Sequence, residues 1–133
     1  MIRILSLILF ATFSLKSFSQ TKEQLSQLTV IKFSCHGVDT MSLSLFREND
    51  IISAQFASKG SNVGLTPKSS SLSSKQYAYY QQFVRELKKL KEGGGCTSVY
   101  VYRLDEKGKA VEKADGNCEW FGIEKLLKEL FLE

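Results

Sequence analysis

The chain has 133 residues and a formal net charge of +4, with 18 lysines and arginines, 14 acids, one histidine and three cysteines. A chain of this length makes one domain with room for a real core. Two of the cations, Arg3 and Lys16, fall within residues 1–19, which hold no acid. The remainder is therefore nearly balanced at +2, and a nucleic-acid surface is not expected.

Residues 1–19 have the layout of a secretory signal peptide. Arg3 gives a positive start, Ile4 to Phe13 an apolar core, and Ser17 and Ser19 the small residues of a cleavage site, with Gln20 as the first mature residue. The apolar run is short of the ~20 residues a membrane span needs, so no stable span is expected after cleavage. Residues 20–133 then read as a single exported domain, extracytoplasmic in location.

Thr21 to Leu28 reads as a mostly polar lead-in. From Thr29 the period becomes two: Ile31, Phe33 and Cys35 share one face, Lys32, Ser34 and His36 the other. That predicts a half-buried strand with Cys35 on its buried side. Met41, Leu43 and Leu45 alternate with serines as a second strand. Ile52, Ala54 and Phe56 make a third, completing an antiparallel meander. Ser58 to Ser71 breaks every period; it reads as a surface loop, or as a loop in which Asn62 to Leu65 adds a short edge strand.

Ser73 with Gln76 forms a capping box. Tyr80, Phe83, Leu87 and Leu90 then recur at helical spacing, and Gly93 is the expected stop. Lys88, Lys89 and Lys91 suit the helix C-terminus and read as a solvated face. A hairpin follows, turning through Asp105 to Lys109 as a three-residue loop in which Gly108 supplies the left-handed conformation. Val99, Val101 and Arg103 lie on one face of it and Tyr100, Tyr102 and Leu104 on the other. Continued to its base, the same register sets Cys96 opposite Cys118, which predicts a disulfide and leaves Cys35 unpaired. Asp115 to Asn117 turns the chain into a last helix with the apolar stripe Trp120, Ile123, Leu126, Leu127, Leu130 and Phe131.

The order βββαββα implies α+β architecture: an antiparallel sheet of about five strands with two helices packed on one face. No catalytic constellation emerges. Adjacent strand residues point to opposite faces, so Cys35 and His36 cannot form a thiol–imidazole pair in that reading. The acids sit mainly at turns and helix ends, and the Gly93 to Gly95 run lacks the ending of a phosphate-cradling loop. The three cysteines and His36 show no metal-ligand spacing, so neither metal nor cofactor is expected. The remaining material is surface. Phe121 lies off the apolar stripe of the last helix on an edge shared with Lys125, Tyr77 sits at the margin of the first helix's stripe, and Tyr100 with Tyr102 lines a sheet face read as open. These five residues are the candidate binding positions, because aromatic residues are what protein interfaces favour. The expected function is a non-enzymatic exported binding protein, of inhibitor, immunity or accessory-subunit type, with another protein as partner. The alternative is a structural or assembly role in the cell envelope.

Overall fold

The computed structural model describes residues 21–60, 67–91, 93–95, 97–116, 120 and 122–131. The signal-peptide reading, the Cys96–Cys118 disulfide, Phe121 and the Asn62 to Leu65 strand all fall on residues outside these. The elements are β1 (Glu23–Ser34), β2 (Gly37–Glu48), β3 (Ile51–Lys59), β4 (Lys68–Ser71), α1 (Ser74–Lys89), β5 (Val99–Glu106), β6 (Lys109–Asp115) and α2 (Gly122–Phe131). The six strands form one antiparallel sheet in the order β4-β3-β2-β1-β5-β6, so the β5–β6 hairpin docks beside β1. No helix among the described residues is long and apolar enough to cross a membrane.

Two of the tight turns share one solution. The β2–β3 and β5–β6 connections are two-residue loops whose central residues both have positive φ: Asn49 and Asp50 at 49° and 64°, Lys107 and Gly108 at 52° and 76°. Such loops match the right-handed twist of the flanking strands. Gly108 does supply left-handed backbone, but the loop is one residue shorter than its sequence suggested. Glu106 pairs with Lys109. The register that placed Cys96 opposite Cys118 is therefore shifted by one residue.

β1 starts six residues earlier than expected, and its faces are inverted. Leu28 and Val30 are buried beneath the helices, while Ile31 and Phe33 face the other way. Both alternating sets in this strand contain apolar residues, so the pattern alone leaves the face undecided. The neighbours decide it: Leu28 lies between Leu43 and Leu104, and Val30 between Met41 and Tyr102. Cys35 is consequently not a buried strand residue. It sits exposed in the turn between Ser34 and Gly37.

Both helices cover one face of the sheet. Tyr80, Phe83, Val84 and Leu87 of α1 and Ile123, Leu126 and Leu130 of α2 close a core with Leu43, Leu45, Ala54, Phe56, Tyr102 and Leu104. The capping box forms as expected: the Gln76 N–H donates to Ser73 Oγ at 3.2 Å, and the Ser73 N–H donates to Gln76 Oε1 at 2.9 Å. Helix α1 ends at Lys89 with Leu90 as its cap, before the expected glycine stop. Gly93 instead bridges to Asp115 in parallel fashion and accepts a 2.9 Å bond from the Gly116 N–H. Trp120 precedes α2; its ring stacks on Phe83 at 5.5 Å and meets Tyr102 edge-on at 5.2 Å. Within the Ser58 to Ser71 stretch, β3 runs on to Lys59 and the serine-rich β4 pairs with β3 at the sheet edge, neither of which its sequence shows.

Candidate functional site

Where α1 crosses the end of the sheet, a cleft of about 570 Å³ opens between the helix, the start of β1, the end of β2 and the tip of the β5–β6 hairpin. That volume lies within the range of roughly 300–1,000 Å³ usual for ligand sites. A bulge in β1 builds its floor. Gln24 pairs with Phe46 and Ser26 with Leu45, so Leu25 is an extra residue, and both Leu25 and Ser26 line the cleft. Ser26 Oγ lies 2.7 Å from the Tyr80 hydroxyl in a buried contact that fixes helix to strand. Burial pushes the Tyr80 phenol up to about 12, although the Ser26 hydrogen bond opposes the shift. The phenol is neutral at any physiological pH. Tyr77, Val84, Leu45 and Val111 complete an apolar lining.

The rim carries five cations, Arg47, Arg85, Lys88, Lys107 and Lys109, and Glu106 is the one acid in the lining. Lys88 donates to Glu106 at 2.6 Å, and Arg47 approaches Glu23 at a looser 3.9 Å. Arg85, Lys107 and Lys109 have no ion-pair partner among the described residues. An apolar floor under unpaired cations can hold a group with an anionic end and an apolar body. A scan against protein-family models and a search of curated proteins each find no match for this chain.

Of the four candidate binding positions among the described residues, Tyr77 alone lines the cleft. Tyr102 is corrected from surface to core. It is 1% exposed, faces the helices, and packs against Phe83 and Trp120. Burial holds its phenol well above the ordinary value. Tyr100 lies on the same helix-covered face, not an open one. Its hydroxyl donates to Glu124 Oε1 at 2.8 Å, and the Lys32 ammonium stands 5.2 Å from its ring. Partial burial raises the Tyr100 phenol, and the hydrogen bond to Tyr100 raises Lys32. Lys125 is exposed on α2, outside the cleft lining.

The rim cations come from β2, α1 and the hairpin tip, so their convergence does not show in the sequence, where Lys88 reads only as part of a solvated helix end. The one local hint was Lys107 and Lys109 flanking Gly108, a pair that a hairpin tip must present to solvent.

The uncovered face of the sheet has its own pattern. At one end Phe33, 45% exposed, pairs with Val38, 51% exposed, and with Val99; Ile31 and Val101 are neighbours in the next row. Towards the centre Ser42, Ser44, Gln55 and Thr29 replace the apolar side chains.

Proposed function

We propose that the mature chain is an exported binding protein that acts without turnover, engaging an acidic segment of another protein at the α1 cleft. The observation that carries this reading is the set of five cations against one acid around a partly apolar cleft, in a mature chain whose overall charge is close to balanced. Opposite charge at such a site steers encounter and selects the partner, while Tyr77, Leu25 and Val111 supply apolar contact. Export rests on the charge, apolar length and small residues of positions 1–19.

Charge reversal tests it. The mature domain is used to capture partners from extracytoplasmic extract, beside an Arg85→Glu/Lys109→Glu variant whose fold is checked by circular dichroism. A partner retained by the parent should be lost by the variant and released at about 1 M salt, where screening reaches roughly 3 Å. A partner held equally by both proteins refutes the cleft. The envelope-assembly alternative draws on the Phe33–Val38–Val99 row, in which Phe33 and Val38 are exposed. Under that reading Phe33→Ser would abolish self-association while the charge reversal would leave it intact.

A further inference from the structure

The sheet order leaves β6 at an edge, and β6 residues Lys109 and Val111 line the cleft. We propose that the partner segment binds as an added strand along the outer edge of β6, an inference that rests on the cleft being the binding site. Its chemistry is an extended peptide with acids at alternate positions and an apolar residue between them.

The two-residue hairpin fixes which backbone groups are on offer. Glu106 and Lys109 close the loop, and alternation along the ladder turns Lys109, Val111, Lys113 and Asp115 towards β5. The N–H and C=O groups of Ala110, Glu112 and Ala114 therefore point outward. The observed bond from the Gly116 N–H to the Gly93 oxygen obeys the same parity, and the Gly93–Asp115 bridge shows this edge accepting an extended neighbour at its far end. Beyond that bridge, Ala110 and Glu112 have no outward backbone partner among the described residues. An added strand would satisfy those groups.

Side-chain direction sets the pattern. A strand on this edge places alternate residues beside Lys109, Val111 and Lys113 on the helix side, next to the cleft, and the intervening ones beside Ala110 and Glu112 on the open face. Directly opposed pairs of opposite charge favour acids beside the two lysines, and an aliphatic residue suits Val111. The same lysines repel basic strands and blunt indiscriminate edge pairing. Ala110 is small and exposed, so the approaching backbone meets no bulk there.

The probe is the peptide acetyl-Asp-Thr-Val-Thr-Asp-amide, with one version N-methylated at both threonines and another at valine. Each is titrated into the 15N-labelled mature domain and followed by amide chemical shifts. Strand addition predicts shifts at Ala110 and Glu112, a loss of about tenfold or more in affinity for one methylated version, and little change for the other. Glu112→Pro, which removes an outward N–H without touching the β5 ladder, should weaken the parent peptide similarly. Equal binding of both methylated peptides, with shifts confined to Arg85 and Lys107, overturns strand addition and leaves the cleft standing. Absence of peptide binding, while the charge-reversal variant still loses its protein partner, likewise overturns only the strand.

Discussion

Replacing Tyr80 with phenylalanine removes one oxygen from beneath α1 and should alter the alkaline limb of the stability curve. At neutral pH the change leaves Ser26 Oγ buried without its 2.7 Å partner, which costs about 1–3 kcal/mol. The pH dependence is more diagnostic. The phenol stands at about 12 in the folded protein against 10.0 ordinarily, with burial as the main cause. A group raised in this way contributes stability that is fully present below pH 10 and is lost as pH climbs towards 12. At pH 11 the unfolded phenol is mostly ionised and the folded one mostly neutral, so about 1.4 kcal/mol has gone. Urea unfolding of parent and Tyr80→Phe at pH 8 and pH 11 isolates this share, because other tyrosines and the lysines titrate in both proteins. The gap between the two stabilities should narrow by about 1.4 kcal/mol across that interval. A gap that stays constant would mean that the Tyr80 hydroxyl ionises as freely in the folded chain as in water, and the cleft floor described above would be wrong.

Trp120→Ala removes a ring that contacts both Phe83 and Tyr102; a loss of about 2–4 kcal/mol is expected in denaturant unfolding, somewhat below a fully buried tryptophan. Gly116→Ala drives a methyl into the Gly93 carbonyl and within 2.8 Å of the Gly94 Cα, so thermal melting should show a loss of about 1–3 kcal/mol, whereas Gly94→Ala meets open space and should stay within ~0.5 kcal/mol. Cys35 is exposed in its turn, so it should react with a thiol reagent in the native protein at close to the unfolded rate, and Cys35→Ser should leave stability unchanged within ~0.5 kcal/mol.

The α+β class and the two helices on one face were legible because most elements carry one unambiguous period. In β2 every second residue from Met41 to Leu45 is apolar and its neighbours are serines, so the buried face could be read directly. In β1 both sets hold apolar residues, and only the non-local ladders to β2 and β5 choose between them. The hairpin loop is one residue shorter than its sequence suggests because Lys107 adopts a positive φ, which its type does not advertise. Tyr102 alternates with Tyr100 and Leu104 on a face whose cover lies elsewhere in the chain, in α1 and Trp120, so its sequence alone reads as surface. Of the binding positions, Tyr77 reaches the cleft because it flanks the α1 stripe, but the rim cations converge only once strand order is known.

The ladder between β1 and β5 joins residues far apart in the chain: Val30 and Tyr102 are seventy-two positions from each other. Every other strand pairing is between consecutive strands, three of the four through two-residue turns or a short connection. The meander and the terminal hairpin can each form quickly from near neighbours. Their union must close one large loop with α1 inside it, and such closure is where low-order contacts give way to slow ones. Leu28 and Val30, whose side chains meet both halves, thus sit at the seam where folding speed is set. Substitutions there should slow refolding, and so should changes at the β2–β3 turn, which is already formed when the seam closes.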